Sequence, residues 1–335
     1  MLIVFAIIVS ACGGNSEPAP ANGQQNAAGT NASGSDSASA GGEKEEEAQG
    51  GSDTRIVKTV KGDIEIPANP QRIVAGYYHG TLLSLGIHPI GGSKEWWMGS
   101  PFLTSEEQTI EDIGSPASLE KVLALEPDLI VINDTLIDSY DALSKIAPTL
   151  LIPYDSIKNI RQEITIFGDL LNKQEEASKW HADYEDKAKQ AKEKLKGIVK
   201  PGMTASLLET DGKTIAMLGD NYGRGGEVIY HVFGFKAPPL VQKDVIDSGE
   251  QYKTVSLEVL PEYLNADYIF LSSYPDGTDE ALNTLMESSV WKSLKAVKEG
   301  HVISLDYKTY FYFDPVSTFG QIDTLTDLLL RNQAQ

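Results

Sequence analysis

A glycine-rich stretch in the second half of the chain carries the sharpest signal for ligand binding. Residues 219–230 read GDNYGRGGEVIY, in which Arg224 stands between two glycines and an apolar helical pattern follows. A glycine-rich turn that opens a helix points backbone N–H groups at an anion. The Gly-Lys-Ser/Thr ending of a nucleotide-binding loop does not follow. Arg224 can therefore bind a non-nucleotide ligand, or it can bond its own loop or a carboxylate, and both readings stay open.

Aromatic side chains are concentrated in segments that follow strand candidates. Open α/β sheets bind ligands beyond the carboxyl ends of their strands, so these segments are expected to line a cleft. A single aromatic residue is more often part of the core, but adjacent aromatics in one loop cannot all face one core. The candidate ligand-binding aromatics are Tyr77, Tyr78, Trp96, Trp97, Tyr222, Tyr274, Tyr310 and Tyr312.

A short motif occurs twice and carries one acidic residue each time. Residues 118–132 read SLEKVLALEPDLIVI and residues 256–271 read SLEVLPEYLNADYIFL. Ser118 and Ser256 are suitable helix N-caps, and the helix dipole favours a Glu in the first turn. That explanation would suffice for one such Glu. The matching positions of Glu120 and Glu258 favour a shared role in two similar units.

Other functional classes are disfavoured by the composition. The formal charge of −20 opposes nucleic-acid binding, which depends on basic side chains that neutralise phosphates. No nucleophile with its base, paired acid or metal triad has a recognisable spacing, so neither an enzyme nor a direct metal site nor a cofactor is predicted. The five histidines are scattered, and only His79 falls in a candidate cleft loop.

The segments that position these residues alternate between strand and helix patterns from Arg55 onward. Such alternation favours βα units and mainly parallel sheets. The predicted strands are Arg72–Ala75, Pro89–Gly91, Leu129–Ile132, Leu150–Ile152, Thr204–Leu208, Tyr268–Ser272 and Val302–Leu305. The predicted helices are Thr81–Leu85, Ser118–Leu125, Glu227–Phe233, Ser256–Leu264, Leu282–Met286 and Ile322–Leu330.

A proline-free segment between the two copies of the motif predicts a long helix. Apolar residues recur there at three- and four-residue steps, which is typical of one buried helix face; they are Ala177, Trp180, Tyr184, Ala188, Ala191 and Leu195. Gly168 or residues 171–173 can divide the segment into two helices. The predicted organisation is an N-terminal lobe over 55–155, a linking helix over 156–198 and a C-terminal lobe over 199–335.

The first 54 residues are predicted to anchor and tether the globular part. The apolar run at residues 2–9 is too short to span a bilayer but suits a secretory signal. The sequence Val9-Ser10-Ala11-Cys12 resembles the lipobox of bacterial lipoproteins. Residues 1–11 are therefore interpreted as a signal peptide whose basic n-region is missing, because no Lys or Arg precedes Lys44. Cys12 is the expected lipidation site, with a buried inert Cys as the alternative, and residues 12–54 form a disordered tether.

Together these segments resemble the iron-siderophore substrate-binding lipoproteins of bacterial ABC importers. The resemblance rests on Cys12, the polar tether, the stretch RIVAGYYHGTLLSLGIHPIGG, and the two Ser-Leu-Glu motifs. It implies two Rossmann-like α/β lobes of the periplasmic-binding-protein type, joined by a single long helix, with the ligand in the cleft. It also implies a monomer on the extracytoplasmic face of the cell membrane, on a Gram-positive surface, which delivers a ferric siderophore to a permease and its ATPase.

The same resemblance implies roles for individual residues. In that family one Glu of each lobe meets an Arg of the permease, and Glu120 and Glu258 occupy the matching positions. In its ferric-hydroxamate-binding members an Arg in the glycine-rich turn reaches the iron-coordinating oxygens, with an aromatic residue two positions before it. Arg224 and Tyr222 fit that pattern.

The residues of the predicted cleft favour one siderophore class. A ferric tris-catecholate carries a net charge of roughly −3, and burying it calls for several convergent cations. Many aromatics and one Arg suit a ferric tris-hydroxamate better, because its iron centre is neutral or cationic. A haem- or cobalamin-binding protein of the same importer family is the alternative. A catecholate-siderophore binder, a metal-ion binder and an enzyme are less favoured.

Overall fold

A computed structural model describes residues 53–210, 214–221, 223–273 and 280–333, except for the side chains of Trp96, Ser273 and Ala281. Within these ranges the strands form two five-stranded sheets and one two-stranded hairpin. The predicted class, two α/β lobes with mainly parallel sheets, is confirmed. The predictions for Cys12, Tyr222 and Tyr274 fall outside the described residues.

The first sheet lies in the N-terminal half and is wholly parallel. The chain first forms an antiparallel hairpin of β1 (Thr54–Thr59) and β2 (Gly62–Pro67), which was not predicted. The sheet itself consists of β3 (Ile73–Ala75), β4 (Gly91–Gly92), β5 (Glu111–Asp112), β6 (Leu129–Ile132) and β7 (Thr149–Leu151). Their spatial order is β5-β4-β3-β6-β7, so the chain starts at the centre of the sheet and extends it on both sides.

Short helices follow the strands of this sheet. They are α1 (His79–Ser84), α2 (Lys94–Trp97), α3 (Thr104–Glu107), α4 (Leu119–Ala124) and α5 (Tyr140–Leu143), with 3-10 turns at Asp134–Ser139 and Tyr154–Ser156. The predicted N-cap of α4 is confirmed, because the Ser118 hydroxyl accepts a hydrogen bond from the Lys121 N–H at 3.4 Å. Because the strands of this sheet are parallel, the loops that follow their carboxyl ends lie at the same edge of the sheet.

Two consecutive helices connect the halves of the chain, α6 (Ile160–Leu170) and α7 (Gln174–Lys194). They confirm the expected division of the linking segment, which occurs where Asn172 adopts a left-handed conformation with φ of 57°. All six residues of the predicted apolar stripe are buried. Within the stripe, the rings of Trp180 and Tyr184 stack at 5.1 Å, and Phe319 packs edge-on against Trp180 at 5.4 Å.

The second sheet is mixed. It consists of β8 (Ala205–Thr210), β9 (Ile215–Leu218), β10 (Tyr252–Val255), β11 (Tyr268–Ser273) and β12 (Val302–Leu305), in the order β10-β9-β8-β11-β12. Strands β8, β11 and β12 are parallel, whereas β9 and β10 are antiparallel and were not predicted. The helices are α8 (Pro239–Val241), α9 (Leu260–Tyr263), α10 (Glu280–Glu287), α11 (Ser289–Ser293), α12 (Lys295–Lys298), α13 (Tyr307–Tyr310) and α14 (Pro315–Asn332), with π-helical turns at Val228–Val232 and Gln242–Ile246.

The helix predicted over Ser256–Leu264 is shorter than expected. Residues 257–259 form a turn, and the helix begins at Leu260, directly before Pro261. Proline lacks the N–H that an inner helical turn requires, so it is tolerated only in the first turn. The prediction that Ser256 caps a helix with Glu258 in its first turn is therefore wrong, whereas the same prediction for Ser118 and Glu120 holds.

The C-terminal helix α14 adds a second connection that was not predicted. Its Ser317 hydroxyl lies 2.7 Å from the Ser100 hydroxyl in the N-terminal half, and Phe102 packs against Gly320. A continuous cluster of buried apolar residues includes Ile73 on β3, Trp180 on α7, and Leu207 on β8. Both halves and their linking helices thus share one core.

Candidate functional site

A cavity of about 290 Å³ lies where the loops of the first sheet meet residues of the second half. Its N-terminal side follows the carboxyl ends of β3, β6 and β7, as expected for open α/β sheets. The lining residues are Tyr77, Tyr78, His79, Gly80, Thr81, Trp97, Asn133, Asp134, Thr135, Tyr154, Glu163, Arg224, Gln251, Phe311, Tyr312, Phe313 and Asp314.

Aromatic rings form much of the wall on the N-terminal side. Tyr77 lies at the centre of this group, with the ring of Trp97 at 4.8 Å, Tyr78 at 4.7 Å and Tyr154 at 5.9 Å, all edge to face. The Tyr78 hydroxyl donates a hydrogen bond to the Ile152 carbonyl at 3.1 Å. These contacts hold the rings in place, so the wall is preformed.

A second aromatic group comes from the loop after α13. The rings of Phe311 and Tyr312 meet edge to face at 5.2 Å, and the Tyr312 hydroxyl donates to the Met98 carbonyl at 3.0 Å. Burial raises the pKa of Tyr312 to about 12, so its hydroxyl keeps its proton at neutral pH. The cavity thus has aromatic side chains on two sides.

Arg224 reaches the cavity from the glycine-rich turn. Gly223, Arg224 and Gly225 all have positive φ, of 76°, 53° and 80°. A Cβ at Gly223 would lie 2.4 Å from the Phe311 carbonyl oxygen, so only glycine fits there. The guanidinium lies over the Phe311 ring, 4.4 Å from its centroid.

Arg224 also forms a salt bridge with Glu209 at the end of β8. The Arg224 Nε donates to one carboxylate oxygen at 2.5 Å and Nη2 to the other at 2.8 Å. The Ser272 hydroxyl donates to the same carboxylate at 3.1 Å. Arg224 thus lines the cavity and bonds a carboxylate, which is one of the two roles left open by the sequence, whereas its binding of a ligand stays a prediction.

Three acidic residues line the cavity, Asp134, Glu163 and Asp314, and the pKa values of the last two are raised. Glu163 on α6 is 5% exposed and accepts a hydrogen bond from the Thr81 hydroxyl. Burial raises the pKa of Glu163 to about 8; the Thr81 hydrogen bond opposes this shift, and nearby Asp314 adds to it. Asp314 caps α14 by accepting from Val316 N at 2.9 Å and Ser317 N at 2.8 Å, and burial raises its pKa.

The structure brings most of the described candidate residues together. Tyr77, Tyr78, Trp97, Arg224 and Tyr312 all line the cavity. The side chain of Trp96 is outside the description. Not predicted were Gly80, Thr81, Thr135, Tyr154, Glu163, Gln251, Phe313 and Asp314. One signal existed for Glu163, which lies on the same helix face as Ile160, Ile164 and Phe167 and so interrupts an apolar stripe.

The prediction for Tyr310 requires correction. Its side chain belongs to the core, with 2% of its surface exposed, and its hydroxyl donates to the Thr324 hydroxyl at 2.9 Å. Tyr310 ends the short helix α13, which turns its ring toward α14 rather than toward the cavity. Its neighbours Phe311 and Tyr312 are the ones that reach the wall.

The acidic residues of the repeated motif lie at the surface and are not part of the cavity lining. Glu120 and Glu258 are both exposed. Beside Glu120, Leu119 and Leu123 are 42% and 61% exposed. Beside Glu258, Leu257 and Val259 are 40% and 41% exposed.

The described part of the chain contains no group of three or more His, Cys, Asp or Glu side chains arranged to hold a metal ion. Nor does any described helix combine the length and hydropathy of a membrane-crossing segment.

Comparison with known sequences finds a matching family model and a similar protein. A family model described as "Periplasmic binding protein" matches residues 74–309. The iron(3+)-hydroxamate-binding protein YxeB of Bacillus subtilis is 39% identical over 333 residues, which cover 99% of this chain and 95% of YxeB.

Solved structures give the same picture. A periplasmic binding protein component of a Fep/Fec-like ferrichrome ABC transporter from Bacillus subtilis has a TM-score of 0.72 and 36% identity, covering 82% of this chain and 99% of that one. FhuD2 from Staphylococcus aureus with bound ferrioxamine B has a TM-score of 0.67 and 30% identity, covering 78% of this chain and 99% of that one.

Proposed function

We propose, from the premise that the chain belongs to the periplasmic binding protein family, that it captures a ferric siderophore of the hydroxamate type and delivers it to an ABC importer. The observation that carries the proposal is the aromatic cavity, whose described lining has one arginine, charge-compensated by Glu209. The similar proteins named for iron(3+)-hydroxamate binding and for bound ferrioxamine B support the same ligand class.

The chemistry of the wall suits a hydroxamate complex. A ferric tris-hydroxamate has a neutral iron centre inside an apolar backbone, so ring faces such as those of Tyr77, Trp97 and Phe311 can bury it without a counter-charge. Guanidinium donors at Arg224 can bond hydroxamate oxygens. A ferric tris-catecholate would instead bring a charge of roughly −3 into a cavity that also holds carboxyl groups, which is costly without paired cations.

Delivery would use the surface and the N-terminal segment. In this proposal Glu120 and Glu258 contact arginines of the permease, one from each lobe. The lipid on Cys12 holds a monomer at the extracytoplasmic face of the cell membrane, and residues 12–54 tether the lobes. Tyr222, Tyr274 and Trp96 are proposed to complete the wall around Arg224, Tyr77 and Trp97.

A binding panel tests the proposal. Full-length protein is titrated with ferrioxamine B, ferric enterobactin, haem and cobalamin, and its tryptophan fluorescence is followed. Ferrioxamine B should quench strongly and saturably, and ferric enterobactin weakly. Tyr77→Ala should weaken ferrioxamine B binding at least about tenfold, since stacking and burial at one aromatic contribute more than about 1.4 kcal/mol. The exposed Tyr252→Ala is the matched control and should bind as the parent does.

Two results would contradict the proposal. Saturable binding of haem or cobalamin, with none of ferrioxamine B, would assign the cavity to another ligand class of the same importer family. A full loss of binding in Tyr252→Ala, with none in Tyr77→Ala, would place the ligand outside the aromatic cavity.

A further inference from the structure

The salt bridge between Arg224 and Glu209 is buried at the cavity wall. Their side chains are 6% and 11% exposed, and both nitrogen–oxygen contacts are short, at 2.5 and 2.8 Å. Ser272 donates to the same carboxylate at 3.1 Å, and the rings of Phe311 and Tyr307 lie against the guanidinium at 4.4 and 5.3 Å. Arg224 and Glu209 therefore form an ion pair with no net charge, so the positive charge of Arg224 is balanced at this wall.

The other charged groups of the described cavity lining do not supply a cation that could balance the charge of an anionic ligand. Among the described lining residues, Arg224 is the only Lys or Arg, while Asp134, Glu163 and Asp314 are acidic. His79 also lines the cavity, but its ring lies 2.9 Å from the buried Glu107 carboxylate. With Arg224 neutralised by Glu209, the lining carries no net positive charge.

We propose that Glu209 determines the charge selectivity of the cavity: by neutralising Arg224 it excludes ferric siderophores with an anionic iron centre and leaves those with a neutral one. This inference rests on the proposed function, because it names what the siderophore site rejects. Glu209 is not itself a lining residue and acts through Arg224. It is therefore a positioning and charge-compensating residue.

The physical reason lies in the low effective dielectric of a buried site. Unit charges a few ångströms apart interact strongly there, so removing the carboxylate charge beside Arg224 exposes an anionic ligand to an uncompensated cation. A neutral iron centre has little to gain from that change. The rings of Phe311 and Tyr307 still pack against Arg224 after this change. A glutamine at position 209 keeps the size of the side chain and one acceptor oxygen for Arg224 or Ser272, while its NH2 group replaces the second acceptor.

Glu209→Gln is the decisive variant, measured with ferrioxamine B and ferric enterobactin on the full-length protein. Affinity for ferric enterobactin should rise at least about tenfold, or about 1.4 kcal/mol, while affinity for ferrioxamine B changes by less than about threefold. Glu287→Gln removes one charge from an exposed helix end in the same half of the chain and should change neither affinity. A folded Glu209→Gln protein without detectable gain for ferric enterobactin would overturn the inference.

The double variant Glu209→Gln/Arg224→Gln separates charge from shape. It leaves no buried charge unpaired, so it also serves if the single variant fails to fold. Ferrioxamine B should bind more weakly because the Arg224 donors are gone, but ferric enterobactin should bind no more tightly than to the parent, and a gain for ferric enterobactin in this variant would overturn the inference. If the parent binds ferrioxamine B but Glu209→Gln gains nothing, this inference alone fails. If the parent binds no ferric siderophore, the proposed function and this inference fail together.

Discussion

Glu163→Gln should change how stability depends on pH. Glu163 is 5% exposed on α6, and burial raises the pKa of its carboxyl to about 8. Glutamine has nearly the same shape, and its amide oxygen can still accept the hydrogen bond from Thr81. The substitution therefore removes the titration and leaves the packing of the cavity floor largely intact.

The sign and size of this pH dependence follow from the pKa of Glu163 in the folded and in the unfolded protein. The native carboxyl titrates at about 8, whereas an unperturbed Glu titrates at 4.5. Between these values the native state holds a proton that the unfolded state has released, so stability falls as the pH rises. The slope contributed by one such group is at most about 1.4 kcal/mol per pH unit, and it vanishes above the native pKa. The raised pKa of Asp314 acts in the same direction and remains in the variant.

Urea unfolding at several values between pH 4.5 and about 8 measures this effect. The free energy of unfolding of the parent should decline across that range, and the decline should be shallower in Glu163→Gln by up to about 1.4 kcal/mol per pH unit. The exposed Glu175→Gln serves as the matched control and should follow the parent. Parallel curves for the parent and Glu163→Gln would refute the argument, because they would mean that Glu163 is ionised in the folded protein.

Three further predictions concern the core, the surface and the anchor. Tyr310→Phe should cost about 0.5–1.5 kcal/mol in urea unfolding, because it removes the hydrogen bond to Thr324, yet leave ferrioxamine B binding unchanged; weakened binding would return Tyr310 to the site. Glu120→Ala and Glu258→Ala should keep normal binding and reduce cellular uptake of radiolabelled iron, more so together, because exposed pairs contribute orientation more than affinity; normal uptake would exclude docking. Cys12→Ala, with a basic n-region restored, should move the protein from the membrane fraction to the medium or leave an unprocessed precursor; unchanged retention would exclude lipid anchoring.

Sequence patterns predicted the linking helices and the parallel strands other than β5, because burial imposes a strong period there. The run Leu129–Ile132 is buried along its whole length, and the stripe that contains Trp180 keeps a helical period over several turns. The antiparallel strand β10 was missed for the opposite reason. β10, from Tyr252 to Val255, is an edge strand with only Val255 buried, so its pattern resembles that of a loop.

Residues of the candidate site were predictable where they lie in loops after strands or in the glycine-rich turn. They were not predictable where only tertiary packing brings them to the cavity. Tyr77, Trp97 and Arg224 follow strands or a glycine-rich turn, and such positions can be recognised locally. Asp314 precedes Pro315 and fits an ordinary helix cap, a role that it indeed fills while also lining the cavity. The partnership of Arg224 with Glu209 joins residues 15 positions apart through strand pairing, and a local pattern does not contain it.

The two copies of the Ser-Leu-Glu motif differ in backbone conformation but expose similar side chains. Glu120 lies in the first turn of a capped helix, where the helix dipole favours it, whereas Glu258 lies in a turn before the helix that starts at Leu260. A helix-end role therefore accounts for Glu120 alone. Both positions have an exposed carboxylate between exposed apolar side chains. Such a surface does not stabilise an isolated monomer and is typical of interaction surfaces. The repetition of that surface in both halves of the chain is the structural reason to expect a partner that contacts both lobes at once.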